Sequence, residues 1–353
     1  MCTTQKFTSS DLLSGLRGAV STKLLISALQ QNLFTYLETT REVDEIAAHF
    51  GWHHQNCVKY LEILSHIGLV ELSGDTAHNS PDSTRLLGDC SEQSIRALLL
   101  ESHKWCMAPL EHLEDLLRDG PAPPNTFHNT AEVSVTEVVW ETIVRCGASI
   151  AFENDGRRLA QVLASLPNSA NFKRMLDLGG GHGANAIMAV KKLPGLKADI
   201  LDFPGVLKIA DEFVHKHELT KRIGLVPADY MRDALPSGYD LVLASDTLNF
   251  TLPLRNTGMV IKKVYEALNA EGCFVSLHDA PLPPDEPRRP QANWPFECHV
   301  CELVSGQPMG IPASDFLAHE MVRAGFSQIY SRYMRLDSGI HRLDVARKSC
   351  PER

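Results

Sequence analysis

The sequence has no run of 18 consecutive apolar residues, about the length that a membrane-spanning helix requires. Residues 1–6 also lack the apolar core of a secretory signal peptide. The 9 cysteines are scattered without the spacing of a disulfide framework. We therefore expect reduced thiols, a cytoplasmic location and no membrane partner.

Positive charge is scarce as well, with 34 Lys and Arg against 43 Asp and Glu and a net charge of −9. This balance argues against a general nucleic-acid-binding protein. The run Cys298-His299-Val300-Cys301 is half of a metal site, but no second half follows at a usual spacing, so we expect no bound metal. At 353 residues and 44% hydrophobic content, the chain can form two domains with a large core.

The stretch Met175–Asn185 organises the rest of the chain. Its short apolar run ends at Asp177-Leu178 and is followed by a glycine-rich segment. Residues 186–192 then have helical spacing, so the glycines lie on a tight turn between a buried strand and a helix. Glycine accepts positive φ and lets a ligand approach the backbone. We expect the amide groups at the start of the helix to face that ligand.

Ligand-binding residue types follow the next predicted strands. Residues 196–201 are predicted to form a strand that ends at Asp202. An acid at this place in a Rossmann-like sheet can accept hydrogen bonds from both ribose hydroxyls. Asp229 and Tyr230 end another strand, where they could contact a purine, and the apolar run 241–244 predicts a buried parallel strand.

These residues resemble the class I S-adenosylmethionine (SAM)-dependent methyltransferases, specifically the plant-type and acetylserotonin-type small-molecule O-methyltransferases. The resemblance covers nearly the whole chain. It implies SAM as cofactor and an α/β fold, with a Rossmann-like doubly wound sheet and an N-terminal all-α, winged-helix dimerisation domain. The matching elements are Asp177-x-Gly179-Gly180-Gly181-x-Gly183, Asp202-Phe203-Pro204 with Val206, Asp229-Tyr230, and Tyr265-Glu266-Ala267-Leu268 followed by Gly272. Nicotinamide-dependent dehydrogenases contain a similar glycine-rich turn. Here the turn lies in mid-chain after a helical N-terminal part, which argues against that class.

The resemblance also implies the cofactor contacts. The glycines of the turn would approach the methionine part and the ribose, the acid after the second strand would bind the ribose, and the acid and ring after the third would meet the adenine. The predicted cofactor-binding residues are Asp177, Gly179, Gly181, Gly183, Asp202, Phe203, Asp229, Tyr230 and Ser245.

The N-terminal part has a winged-helix pattern. Residues 43–50 and 57–67 are predicted helices, and two strands follow around a Gly74-Asp75 turn. Such modules often bind DNA, but the second helix offers only Lys59 as a fixed positive charge. In the resembling family the module dimerises, so we predict a homodimer without a nucleic-acid partner. The predicted parts are a dimerisation domain at 1–90, a helical connector and acceptor-pocket wall at 91–168, and the SAM-binding domain at 169–353.

The residue expected to act as a base is missing. Many family members carry a histidine after the fourth strand, which deprotonates the acceptor hydroxyl, and two glutamates that orient it. Here Asn249 stands at the histidine's position, and the first glutamate's position falls at His278 or Asp279. An amide cannot act as a general base near neutral pH. His299 is a further candidate base, and Asp246 could orient an acceptor or cap the next turn.

Three functions stay open. The first is methyl transfer to a hydroxyl oxygen by positioning, with Asn249, Asp246 and His278 as the predicted catalytic residues. The second is transfer to a thioether or thiol sulfur, which needs no deprotonation at a thioether. The third is a protein with the SAM fold that does not methylate, such as a pericyclase or a binding module. The predicted acceptor-binding residues are Trp105, Trp140, His299 and Met309.

Overall fold

The computed structural model describes residues 8–89, 91, 94–120, 141, 144–145, 147–251, 255–283, 294–306, 313 and 315–349. The chain forms two compact units, Met1–Ala108 and Pro109–Arg353. The boundary between them falls inside the predicted connector at 91–168. The division into three parts therefore stays a prediction.

The N-terminal unit is mostly helical, and its first helix begins with a capping box. The hydroxyl of Thr8 accepts a hydrogen bond from the Asp11 amide, and the Asp11 carboxylate accepts one from the Thr8 amide. The elements are α1 (Ser9–Gln30), α2 (Leu33–Tyr36), β1 (Arg41–Glu42), α3 (Val43–Phe50), α4 (His54–His66), β2 (Val70–Ser73), β3 (Thr76–Asn79), α5 (Pro81–Leu87) and α6 (Arg96–Ser102). The predicted helix pair and the two strands after it are thus present, with β3 between β1 and β2.

The first half of α1 is apolar and exposed. Leu12, Leu13, Leu16 and Val20 keep 66%, 50%, 64% and 54% of their surface accessible. By length and composition α1 is able to cross a membrane, and 17% of its most apolar window is buried. One such helix near the N-terminus is weak support for a span, because a core helix or a signal sequence passes the same test. The expected lack of a membrane partner stays a prediction.

The second unit contains a large sheet flanked by helices. A π-helical turn (His103–Met107) and a 3-10 turn (Ala108–His112) lie around the boundary between the units. The elements that follow are α7 (Leu113–Asp119), α8 (Gly156–Ser165), β4 (Arg174–Leu178), α9 (Ala184–Lys192), β5 (Lys197–Asp202), α10 (Pro204–Lys216), β6 (Ile223–Pro227), β7 (Tyr239–Ser245), α11 (Thr257–Ala267), β8 (Leu268–Asp279), α12 (Trp294–Ser305), α13 (Phe316–Ala324), β9 (Phe326–Leu336) and β10 (Gly339–Lys348).

The strand order of the sheet is β6-β5-β4-β7-β8-β10-β9. The pairs from β6 to β8 are parallel, and β10 is antiparallel to both β8 and β9. Chain order reverses between β4 and β7, which makes the carboxyl ends of these two strands the topological switch point. Ligands bind at that place in open α/β sheets, so the sheet confirms the predicted doubly wound α/β class and locates the candidate site.

Both faces of the sheet are covered by apolar layers. Successive strand residues alternate between them: Met175 of β4 packs into one layer and Leu176 into the other. Helices α8, α9 and α10 cover the first face, and helices α11 and α13 cover the second. Because the parallel strands are buried on both sides, their polar groups are concentrated at the strand ends.

Candidate functional site

The glycine turn after β4 packs directly against the end of β7. Gly179 has a φ of +64°, and a Cβ atom there would lie 2.6 Å from Cγ2 of Thr247. Thr247 is itself fixed, because its hydroxyl donates to the Leu178 carbonyl at 2.8 Å. The turn therefore requires glycine at this position for two reasons, the backbone conformation and the space.

The same turn leads into α9 through Gly183, which has a left-handed φ of +76° and serves as the N-cap of the helix. The amides at the start of the helix do not all face a ligand, contrary to our expectation. Ala184 donates to Nδ1 of His182 at 3.2 Å, and Ala186 donates to Oδ2 of Asp177 at 3.1 Å. Side chains of the turn and strand therefore cap α9.

Asp177 is a buried acid, with 1% of its surface exposed. Burial raises the pKa of its carboxyl to about 7, against the opposing effect of the Ala186 hydrogen bond. Its other oxygen, Oδ1, is buried and has no hydrogen-bond partner among the described residues. Asp177 thus orders the turn and keeps one acceptor atom available there.

Asp202 lies at the end of β5, as predicted. Its Oδ2 accepts a hydrogen bond from the Gly181 amide at 2.9 Å, and its Oδ1 accepts one from the Phe203 amide at 2.8 Å. Burial raises the pKa of the carboxyl to about 6, although both hydrogen bonds oppose the shift. Each carboxylate oxygen can accept a further bond. Asp202 therefore links the glycine turn to the start of α10 and has the acceptor capacity that the predicted ribose-binding role requires.

The residues predicted to meet the adenine take different positions. Asp229 is partly buried and its Oδ1 accepts from the Met231 amide at 2.9 Å, which shapes the segment after β6. Tyr230 is 8% exposed and packs in the core, where its hydroxyl donates to the Thr247 carbonyl at 3.4 Å. Ser245 ends β7, and its hydroxyl donates to Asp246 at 3.4 Å. Their cofactor roles stay predictions.

Beyond the turn, Asn249 and Asp279 form a buried pair. Asn249 Nδ2 donates to Asp279 Oδ2 at 2.7 Å, and the two residues are 6% and 5% exposed. Of the two candidates for the first glutamate's position, Asp279 is the one that binds Asn249, and its role stays a prediction. Asn249 Oδ1 is buried and has no hydrogen-bond partner within the ranges described.

His278 points away from this pair, because neighbouring strand residues face opposite sides. It is 0% exposed; Nδ1 lies 3.3 Å from the Ser276 hydroxyl and Nε2 lies 3.6 Å from Asp344 Oδ2. Burial lowers its pKa to about 4, although Asp344 and Asp246 oppose the shift. A fully buried, neutral imidazole in these surroundings gives the catalytic role predicted for His278 no support.

Sequence reasoning missed His341, which begins β10 and lies opposite Asp279 in the strand register. Its Nδ1 lies 3.3 Å from Asp246 Oδ1 and 3.4 Å from Asp279 Oδ1. Burial would lower the pKa of His341, but Asp246, Asp279 and Asp155 raise it to about 9. We call Asp246, Asn249, Asp279 and His341 the His341 cluster. The sequence shows only a histidine near the end of the chain, and its neighbours cannot be known until the strand register is known.

Asp246 occupies the first position after β7 and has a left-handed φ of +54°. Its amide donates to the Leu277 carbonyl at 2.8 Å, which ties it to β8. Its side chain is 46% exposed, unlike that of His341 at 5%. Asp246 is therefore the accessible member of the His341 cluster.

The predicted acceptor-binding residues are not brought together by the described part of the chain. His299 lies exposed on α12, where its Nδ1 is 3.2 Å from Glu302 Oε2. Trp105 lies in the π-helical turn, but its side chain is outside the described set. Trp140 and Met309 also lie outside the described residues. Their roles stay predictions.

Comparison with known proteins connects this geometry to a family. Residues 153–293 match the O-methyltransferase domain. The chain is 25% identical to acetylserotonin O-methyltransferase of Bos taurus over 77% of its own length and 80% of that protein. It is 37% identical over 26% of both chains to 3-hydroxy-5-methyl-1-naphthoate 3-O-methyltransferase of Streptomyces sahachiroi.

The fold is shared with human N-acetylserotonin methyltransferase in complex with SAM, at a TM-score of 0.75 and 20% identity, over 99% of this chain and 100% of that one. The chain spans less than two thirds of the length of several curated relatives that it matches, for example 26% of the Streptomyces enzyme. The Gly179–Gly183 turn and Asp202 after β5 fit the SAM cofactor of such enzymes. In sequence and fold the chain is similar to the SAM-dependent methyltransferases of the acetylserotonin and plant O-methyltransferase type, and its residues 153–293 match their O-methyltransferase domain.

Proposed function

We propose that this protein transfers a methyl group from SAM to a small-molecule acceptor, with a hydroxyl oxygen as the first candidate. The observation that carries the proposal is the closed turn from Gly179 to Gly183 at the switch point, joined to the Asp202 carboxylate at 2.9 Å. SAM supplies an electrophilic methyl group on a sulfonium sulfur. The protein's part is then to bind, orient and desolvate.

The cofactor-binding residues would divide this work. Asp202 would accept hydrogen bonds from the ribose hydroxyls, because its oxygens have capacity beyond their two amide donors. Gly179 and Gly181 would let the cofactor approach the backbone. Asp177 Oδ1 is a buried acceptor at the same turn.

The Asn249 amide would orient the acceptor rather than deprotonate it. Its Nδ2 is held by Asp279, so the orientation of the amide is fixed and Oδ1 can accept a hydrogen bond from a hydroxyl. Holding a nucleophile about 3 Å from an activated methyl group supplies much of the acceleration of such a displacement. Asp246, the accessible carboxylate of the His341 cluster, could receive the hydroxyl proton.

Calorimetry with SAM and with S-adenosylhomocysteine tests the cofactor part of the proposal. Mass spectrometry of reactions with phenolic, thiol and thioether acceptors tests the transfer. We expect both nucleosides to bind and S-adenosylhomocysteine to appear with a hydroxyl acceptor. If neither nucleoside binds, the proposal fails; if SAM binds and no acceptor is methylated, the non-methylating alternative is correct.

Transfer to sulfur is the second candidate, and the Asn249–Asp279 pair is the observation that favours it. Asn249 stands where the family places its base, and a thioether sulfur needs no base to react. Product formation with the thioether acceptor and none with the phenols would establish it. The reverse result would exclude it.

We also propose that the protein is a homodimer through the exposed face of α1. A second copy would cover Leu12, Leu13, Leu16 and Val20, which lie exposed in one chain. Sedimentation should give a dimer for the native protein and a monomer for Leu16→Lys. Val322→Lys is the matched control, because Val322 is 59% exposed on α13. A monomeric native protein, or binding of native protein to lipid vesicles in place of dimerisation, would contradict this proposal.

A further inference from the structure

Three potential metal-ligating atoms from distant parts of the sequence meet at the edge of the sheet. Asp246 follows β7, Asp279 ends β8 and His341 begins β10, and one ligand atom of each lies within 4.8 Å of the others. The parallel pairing of β7 with β8 and the antiparallel pairing of β8 with β10 bring them to the same edge. The fold therefore determines the grouping.

His341 directs a buried nitrogen into this group. The residue is 4% exposed, and Nδ1 has no hydrogen-bond partner in the described part of the chain. Its other nitrogen, Nε2, lies 3.0 Å from the Ser338 hydroxyl, which fixes the ring. Metal-bound histidines are typically held in this way through the second ring nitrogen.

The turn that presents His341 is also anchored. Asp155 accepts hydrogen bonds from the Asp337 and Ser338 amides at 2.7 and 3.1 Å. On the opposite side, Asn249 holds Oδ2 of Asp279 at 2.7 Å, so that Oδ1 lies toward His341. The ligand atoms are thus supported by a second layer of hydrogen bonds.

The distances within the group fit a metal site as well as an ion pair. A charge-assisted N–H···O bond is about 2.7–2.9 Å long. The observed distances from Nδ1 are 3.3 Å to Asp246 and 3.4 Å to Asp279. Ligands at about 2.1 Å from a tetrahedral metal ion are separated by roughly 3.4 Å. The two carboxylates also favour a cation at this place.

We propose that Asp246, Asp279 and His341 bind one divalent transition-metal ion. One imidazole nitrogen with carboxylate oxygens suits Zn²⁺ or Mn²⁺ better than Mg²⁺ or Ca²⁺. Metal binding itself does not depend on the proposed function. Its use does rest on that function: the ion would act as a Lewis acid toward an acceptor oxygen and offset the missing histidine base.

Untagged protein, stripped with a chelator, is titrated with Zn²⁺, Mn²⁺ and Mg²⁺ by calorimetry, and its metal content is measured after dialysis. We expect about one Zn²⁺ or Mn²⁺ per chain and at least about 10-fold weaker binding in His341→Ala and Asp279→Asn. His319→Ala is the matched control, because His319 is exposed on α13 beside Asp315. Its affinity should equal that of the native protein.

Several results would overturn the assignment: binding of neither Zn²⁺ nor Mn²⁺, unchanged affinity in His341→Ala, or loss of the metal in Cys301→Ser, which would place it at the Cys298–Cys301 run. Should His341→Ala fail to fold, electron spin-echo spectra of Mn²⁺-loaded native protein give an independent answer. Coupling to one imidazole nitrogen is expected, and its absence refutes the site. SAM titration of the stripped protein reports on the cofactor site separately.

Discussion

The Gly179–Gly183 turn and the His341 cluster lie at the same edge of one sheet but differ in construction. In the turn, backbone amides bind carboxylates and carbonyls, as with the Gly181 amide on Asp202 at 2.9 Å. In the cluster, side chains contact other side chains, and all of them except Asp246 are buried. There His341 Nδ1 and Asn249 Oδ1 have no hydrogen-bond partners in the ranges that the structure describes.

The Gly179–Gly183 turn is therefore fixed by its own hydrogen bonds, whereas the His341 cluster keeps polar atoms that can bind another group. A buried polar atom without a partner costs about 1–3 kcal/mol, so a fold retains such atoms where something else offsets the cost. Ligand, substrate or metal binding can offset it. Substitutions that add volume should therefore disturb the turn. Substitutions that remove a polar or charged group should disturb the His341 cluster.

The largest effect is expected from Gly179→Ala. Left-handed φ costs alanine about 1–2 kcal/mol, and overpacking against the fixed Thr247 adds about 1–3 kcal/mol. We expect the variant to unfold at a temperature lower by roughly 5–10 °C and to lose SAM binding. Thermal unfolding and calorimetry measure the two quantities.

Gly195→Ala is the control for this substitution. A Cβ atom at Gly195 would have Lys173 Nζ, a surface side-chain atom, as its nearest neighbour at 3.5 Å. It should unfold like the native protein. If Gly179→Ala had the unfolding temperature and the SAM affinity of the native protein, the Gly179–Gly183 turn would not require glycine at this position.

Asp202→Ala is expected to have the next largest effect. It removes a carboxylate that would hold the ribose and leaves the Gly181 and Phe203 amides without their acceptor. Charged hydrogen bonds of this kind contribute roughly 1–3 kcal/mol, so the Kd for SAM should rise about 5- to 150-fold. Asp211→Ala, at an exposed acid on α10, should leave the Kd unchanged. An unchanged Kd in Asp202→Ala would refute the ribose assignment.

Local sequence patterns predicted the elements around the Gly179–Gly183 turn well, because these elements are close together in the sequence. The helix predicted at 186–192 is found at Ala184–Lys192, and the strand predicted at 196–201 is found at Lys197–Asp202. Alternation of apolar residues and glycine chemistry act over a few positions. What the pattern could not show is that Asp177 and His182 bind the amides of α9 themselves.

The His341 cluster could not be predicted in the same way. The strand that carries His341 is found at Gly339–Lys348, and its partner and register depend on contacts across the sheet. A shift of one residue would turn His341 to the other face, away from Asp279. A single sequence contains no signal for that choice.

The pH dependence of SAM binding should follow Asp202. Burial raises its pKa from 3.8 to about 6, so the carboxyl is mostly protonated at pH 5 and ionised at pH 7. The ionised form accepts ribose hydroxyls, so affinity should rise up to about 10-fold between pH 5 and pH 7 and then level off. Calorimetry across this range measures the change.

Asp177 also titrates in this range, since burial raises its pKa to about 7. Comparison with Asp202→Asn isolates the contribution of Asp202, because the amide does not ionise and Asp177 is retained. The variant should show a flatter profile. Equal profiles in the two proteins would assign the pH dependence to another group.

The smallest effect is expected from Asn249→Ala. The substitution removes the donor to Asp279 Oδ2 and the Oδ1 atom proposed to orient a hydroxyl, but no proton acceptor. One neutral hydrogen bond contributes about 1 kcal/mol, so kcat/KM for the acceptor should fall about 5-fold with the Kd for SAM unchanged. Steady-state assays of S-adenosylhomocysteine formation test this, with the acceptor identified in the panel. Complete loss of turnover with intact SAM binding would show that Asn249 acts on the reacting atoms directly. The chemistry of the His341 cluster would then require the Asn249 amide as well as the charged side chains of the cluster.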